Sequence, residues 1–238
     1  PNVMQEEALD ALLYLTEKGE KSGVIISATG TGKTILAALA TRMLKPERVL
    51  FVVHREQILD KARSEFIKVL ERPAADFGKM SGSTKELDKP FVFGTIQTLT
   101  KEATLSQISP TDFDLVIVDE VHRAGAESYL ALLNHLQPQF LLGLTATPER
   151  TDGFNIYELF DFNVPYEIRL QAALESNMLV PFHYYGVTDF TLDSETTVTD
   201  TSKLSALVSE ERVHHILEAL KTYGHPENVR GLIFCSKT

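Results

Sequence analysis

The segment Ser27-Ala28-Thr29-Gly30-Thr31-Gly32-Lys33-Thr34 has the residue types needed to hold phosphate. Glycines 30 and 32 let backbone N–H groups, including those of Thr29 and Thr31, close around phosphate oxygens. Lys33 reaches the outer phosphates of a nucleotide, and the Thr34 hydroxyl is a ligand for Mg²⁺. A strict phosphate-loop pattern asks for glycine where Ser27 stands, but the G-T-G-K-T core is intact. Further along, Asp119-Glu120-Val121-His122 follows an apolar run. Asp119 is placed to hold Mg²⁺ through its water shell, and Glu120 to orient and deprotonate an attacking water. His122 is a candidate link from this pair to Thr145 and Thr147, short hydroxyls in the segment Thr145-Ala146-Thr147-Pro148. Each segment also has a plainer reading. The first can be a glycine-rich turn with an exposed lysine, the second two solvated carboxylates at a strand end, the third an ordinary turn built from Thr and Pro. Found together, they favour the chemistry.

These residues need strands and helices to hold them, and the hydrophobic pattern supplies both. Helical spacing runs through Met4, Ala8, Leu12 and Leu15, again through Leu36, Leu39, Ala40 and Met43, and again through Leu59, Ala62, Phe66 and Leu70. Between these lie short apolar runs, Val24–Ile26, Val49–Val53, Phe91–Phe93, Leu115–Val118 and Phe140–Leu144. All-apolar runs of this length mark central parallel strands, buried on both faces. The alternation predicts a parallel sheet covered by helices. The polar segments 29–34, 54–55, 95–98, 119–120 and 145–147 each follow one of these strands, which points all five to the carboxyl edge of one sheet, where open α/β sheets bind ligands. Beyond Asn177–Pro181 a strand over Phe182–Val187, a loop over Asp189–Thr201, a helix over Glu210–Tyr223 and a strand over Gly231–Cys235 are expected.

The chain has 238 residues, 43% of them hydrophobic and 24% charged, enough for a sizeable core. No apolar run approaches the roughly 18 residues a membrane span needs, and the N-terminus lacks the layout of a signal peptide. The single cysteine, Cys235, excludes an intramolecular disulfide and a cysteine-based zinc site. A reducing, cytoplasmic setting without membrane contact is expected. The net charge of −10 offers no general attraction to nucleic acid. Any such binding by this chain should be local, weak and salt-sensitive.

Taken in order, G-T-G-K-T, D-E-V-H and T-A-T resemble superfamily 2 helicases of the DExH type, over nearly the whole chain. That family commonly uses the shorter phosphate-loop core seen here. The resemblance implies an α/β fold: a P-loop RecA-like domain with a central parallel sheet flanked by helices over residues 1–178, then the beginning of a second RecA-like domain over 179–238. It implies that Gln5, 28 residues before Lys33, reads adenine. It implies that His54 and Arg55, and then Thr95, Gln97 and Thr98, are the nucleic-acid-contacting segments. The stretch Thr147–Gly153 is similar, more narrowly, to bacterial restriction-type helicases, which favours DNA over RNA, bound without sequence preference. The implied function is an ATP-dependent helicase or translocase using ATP and Mg²⁺, with Lys33, Asp119 and Glu120 as catalytic groups.

The family completes its ATP site with an arginine from the second RecA-like domain, and nothing in this sequence matches that motif. Such arginines contribute about 10³–10⁵ in rate, so the chain is expected to bind nucleotide and hydrolyse it poorly without the remainder of that domain. It begins at Pro1 rather than methionine, as a piece of a longer protein would. Two other readings remain open: a P-loop ATPase that remodels a substrate other than nucleic acid, and a non-catalytic ATP-dependent binding module.

Overall fold

The computed structural model describes residues 1–124, 127–149, 153–186, 210–224, 231, 232 and 234. Its centre is a sheet of β1 (Ser22–Ser27), β2 (Val49–Val53), β3 (Phe77–Ser81), β4 (Thr84–Lys85), β5 (Phe91–Thr95), β6 (Leu115–Asp119), β7 (Phe140–Thr145) and β8 (Tyr166–Ile168). The order is β4-β3-β5-β2-β6-β7-β1-β8. Every pairing is parallel except that of β3 with the short edge strand β4.

Period-2 alternation sorts the strand residues onto two buried faces. In β2, Val49, Phe51 and Val53 belong to one core cluster, and Leu50 and Val52 to the other. The first cluster is covered by α1 (Val3–Glu17), α2 (Lys33–Leu44), α3 (Glu56–Leu70) and α7 (Leu170–Glu175). The second is covered by α4 (Ile96–Leu99), α6 (Glu127–His135) and the 3₁₀ turn Ile156–Phe160, with α5 (Glu102–Leu105) beside it. Five phenylalanines knit the first face together: Phe51, Phe66 and Phe93 are mutually 5.1–5.4 Å apart by ring centroids, and Phe77 stacks on Phe91 at 4.9 Å. Such pairs add about 0.5–1.5 kcal/mol each beyond their buried area, and here they fix α3 over β2 and β5.

At the amino edge of the sheet, Asp114 acts as a clasp. Its carboxylate accepts from the backbone N–H groups of Glu47 and Arg48, both at 2.9 Å, and from Gln139 Nε2 at 2.7 Å. It ties the entry of β2 to the entries of β6 and β7.

The structure extends several expected strands by one or two residues and adds elements that the sequence pattern hid. Strand β3 alternates weakly because Gly78 and Lys79 interrupt its apolar residues, and β8 is only three residues long. The chain divides into compact units, Pro1–Pro181 and Phe182–Thr238. In the second, the helix Glu210–Tyr223 forms as expected, and Tyr185 stacks on Tyr223 at 4.8 Å. The expected strand over Phe182–Val187 is not formed across its described residues, 182–186, which carry no ladder partner. Residues 231, 232 and 234 are likewise outside any strand, and the expected loop Asp189–Thr201 lies outside the described residues.

Candidate functional site

The carboxyl ends of β1, β6, β7, β2 and β5 bring the singled-out residues to one edge. The loop after β1 turns twice through left-handed backbone, at Gly30 (φ 91°) and Gly32 (φ 90°). These are conformations glycine adopts without steric cost. A Cβ on Gly32 would also stand 3.0 Å from Gln5 Nε2, so Gln5 lies directly against the loop. Gln5 is buried and held by a capping box with Asn2: its side chain accepts from Asn2 N, and Asn2 caps the Gln5 N–H.

Inside the loop, Ser27 and Thr31 join their hydroxyls, and the Thr31 hydroxyl donates to the Ala28 carbonyl at 2.7 Å. The Lys33 ammonium donates to the carbonyls of Ser27 (3.0 Å) and Ala28 (3.5 Å), folded back over the loop. Helix α2 starts at Lys33 with no side-chain cap, so its first N–H groups are free of side-chain competitors for an anion. Thr29 and Gly30 are exposed, and Thr34 is half-buried one residue into the helix.

Across from this loop, β6 ends in Asp119, which is only 8% exposed. Burial, and then the neighbouring Glu120 charge, push its carboxyl up to about 6, while a hydrogen bond from the Glu120 N–H and the Lys33 charge pull it down. Lys33 is therefore within electrostatic reach of Asp119. The Lys33 charge offsets only part of the burial of this carboxylate. With the Thr34 hydroxyl it offers two oxygen ligands, a set suited to a Mg²⁺ ion that keeps several waters and takes others of its ligands from phosphate. No cluster of three or more His, Cys, Asp or Glu among the described residues would hold a metal on its own.

Glu120 leaves the strand in the left-handed region (φ 52°, ψ 48°) and opens the 3₁₀ turn Val121–Arg123. That bend turns its carboxylate onto His122, whose Nδ1 lies 3.2 Å from Glu120 Oε2 and 3.1 Å from the Thr145 hydroxyl. The same Thr145 oxygen accepts from Thr147 N at 3.2 Å. Glu120, His122, Thr145 and Thr147 thus form one connected chain.

The remaining segments form the next stretch of the edge. His54 Nδ1 is 3.3 Å from Gln97 Nε2, linking the ends of β2 and β5. Arg55 and Gln97 are exposed, whereas the hydroxyls of Thr95 and Thr98 are buried and paired with each other at 3.0 Å. A cleft of about 340 Å³ joins this stretch to the acidic pair, with His54, Arg55, Asp119, Glu120 and Arg123 in its walls. Arg123 was not singled out from sequence. Its signal was its place directly after D-E-V-H, on a turn that faces the cleft. Nearby, the Tyr129 hydroxyl is buried with no hydrogen-bond partner among the described residues, and burial pushes its phenol up to about 12.

The sequence pattern of the family described as "Type III restriction enzyme, res subunit" matches residues 1–150. The chain belongs to this family. This res-subunit pattern spans the phosphate loop, the acidic pair and the Thr145–Thr147 segment, and it makes the chain a superfamily 2 helicase of the restriction type. Among curated relatives, the Type I restriction enzyme EcoAI endonuclease subunit of Escherichia coli is 25% identical over 227 residues, covering 90% of this chain and 28% of that protein. The DNA 3'-5' translocase XPB2 of Sulfurisphaera tokodaii is 32% identical over 149 residues, covering 63% of this chain and 31% of that protein. Among solved structures, a nuclease-deletion mutant of the Type ISP restriction-modification enzyme LlaGI, in complex with a DNA substrate mimic, superposes with a TM-score of 0.60 at 19% identity, covering 75% of this chain and 20% of that one. The fold is thus the mostly parallel α/β sheet of RecA-like helicase domains. The chain spans about a third of the length of these curated relatives. Among the described residues, no helix is long and apolar enough to cross a membrane.

Proposed function

We propose that this chain is the nucleotide-binding part of a motor that couples Mg-ATP hydrolysis to movement along nucleic acid, DNA in preference to RNA. The observation that carries this is that the phosphate loop with Lys33 follows β1 and Asp119 ends β6, both at the carboxyl edge of one parallel sheet, with Glu120 tied through His122 to Thr145 and Thr147.

In this reading Gln5 faces the base, and the amides of residues 29–34 cradle the phosphates with Lys33. Lys33 exchanges the loop carbonyls for phosphate oxygens when nucleotide enters, so its charge is available without a change in the loop's course. Thr34 and Asp119 would hold Mg²⁺. When bound, that ion offsets negative charge on the phosphates during transfer. Glu120 orients a water and takes its proton. His122 bonds both Glu120 and Thr145, so a shift at the nucleotide is felt at the end of β7. Arg55 and Gln97, exposed beside the cleft, contact backbone phosphates, which carry no sequence information. The buried Thr95 and Thr98 act by holding the turn that presents Gln97.

Residues 1–178 would be the first RecA-like domain and 179–238 the opening of the second. The helix Glu210–Tyr223 supports this, because its stripe of Val213, Ile216, Leu217, Leu220 and Tyr223 is about half exposed, as in an element that awaits the rest of a core. Without that remainder and its arginine, nucleotide binding is expected with little turnover.

The test is ATP hydrolysis by the full-length protein with no nucleic acid, single-stranded DNA, duplex DNA or RNA. Stimulation by one of these, lost in Lys33→Ala, supports the motor and names its track. Hydrolysis indifferent to all four conditions removes nucleic acid from the account and leaves a remodelling ATPase. No hydrolysis under any condition leaves a binding module.

A further inference from the structure

The cleft between the acidic pair and the β2 end carries more positive charge than the sequence motifs explain. Arg55 enters it from the start of α3, and Arg123 from the turn after β6. Among the described residues neither guanidinium has an ion-pair partner, although the Asp119 and Glu120 carboxylates line the same cleft. The third group is His54. Burial, then Arg123 and Arg55, hold its ring below the usual histidine range, so it is neutral near pH 7. The Gln97 amide nitrogen facing Nδ1 can only donate. Nδ1 is therefore the acceptor, and the ring proton sits on Nε2. That leaves an Nε2–H donor beside two guanidinium forks that have no ion-pair partner among the described residues.

Such a set fits an oxyanion with several oxygens in one plane or face, and arginine forks match phosphate in particular. We propose that Arg123 completes, with Arg55 and His54, a seat for one phosphodiester of the nucleic-acid track. The proposal rests on the motor reading above and deepens it. Arg123 follows His122 directly, so the segment that holds the hydrolytic carboxylates also touches the track. A phosphate seated on Arg123 bears on the turn Val121–Arg123 and through it on Glu120. Inorganic phosphate has the same chemistry, and the test separates the two sources.

The experiment uses the full-length protein and a fluorescent oligonucleotide of the type that stimulates hydrolysis, with the dissociation constant measured across a salt series for wild type, Arg123→Ala and Arg123→Lys. The expected result is that Arg123→Ala binds about tenfold more weakly and that its slope of log K against log salt is shallower by about 1. Arg123→Lys should keep the slope and recover only part of the affinity, because a single ammonium replaces the fork. That rescue also shows that the alanine effect is not a folding loss. Unchanged affinity and slope in Arg123→Ala would overturn the phosphodiester seat while leaving the motor standing. If they stay unchanged but inhibition by added inorganic phosphate weakens, the cleft is an exit site for product, and the proposal is likewise overturned. Wild type that binds no nucleic acid removes both the motor reading and the seat.

Discussion

The two edges of the central sheet are built from the same strands and solve opposite problems. At the amino edge, Asp114 accepts from two backbone amides and a glutamine amide, and the chain enters its strands with its polar groups paired. At the carboxyl edge, Gly30, Gly32 and Glu120 all lie at positive φ, Asp119 is buried with a raised pKa, and Tyr129 keeps a hydroxyl without a partner among the described residues. Positive φ occurs at the amino edge too, at Gly19 and Lys45, but there it only ends helices α1 and α2. At the carboxyl edge it stands beside a buried carboxyl with a raised pKa, the pattern expected when a fold spends stability on a site.

The contrast can be tested by perturbing each edge in turn. The largest effect is expected from Glu120→Gln in the full-length protein: turnover falls by about 10²–10⁴, with nucleotide affinity nearly unchanged because the amide is isosteric. Normal turnover, measured by phosphate release, would remove Glu120 as the base. Next comes Lys33→Ala, expected to weaken nucleotide binding by about 10–100-fold through the loss of charged hydrogen bonds, read by titration with a fluorescent nucleotide. At the amino edge, Asp114→Ala should cost about 1–3 kcal/mol of stability by stranding the amides of Glu47 and Arg48, visible in urea unfolding, and nucleotide affinity of the folded protein should stay as in wild type. An affinity loss there would mean that the two edges are not independent. The smallest effect is expected from Tyr129→Phe. Removing a buried hydroxyl that has no partner among the described residues should leave stability in urea unfolding level or raise it slightly, by less than about 1 kcal/mol. A clear drop would reveal a partner for that oxygen.

Much of the carboxyl edge was legible before the structure. Central strands announce themselves because both faces are buried, and Val49–Val53 or Leu115–Val118 has no other reading of comparable simplicity. The phosphate loop and the acidic pair were legible for a related reason: their residue types are few and their positions after strands are fixed by topology. What the sequence hid depends on three-dimensional neighbours. Nothing in one dimension says that the Thr95 and Thr98 hydroxyls turn inward to each other or that Arg123 shares a cleft with His54. Strand β3 was missed because Gly78 and Lys79 break its apolar run. The strand expected from Phe182 failed for the converse reason. An aromatic-rich stretch such as Phe182-His183-Tyr184-Tyr185 makes a strand only when a neighbouring ladder receives it, and residues 182–186 have none.

The bend at Glu120 has a consequence for how this position can vary. Left-handed backbone at φ 52° admits asparagine, aspartate and glycine readily, tolerates straight-chain residues such as glutamine at modest cost, and resists valine, isoleucine and threonine. A library of all substitutions at residue 120 would therefore pass through two filters in series. Cellular abundance would rank the variants by backbone tolerance, with the β-branched residues at the bottom. Among the abundant ones, only those keeping a carboxylate could retain activity. Aspartate alone passes both filters beside glutamate itself, and its side chain, shorter by one methylene, would show how far the base can retreat from the water it serves.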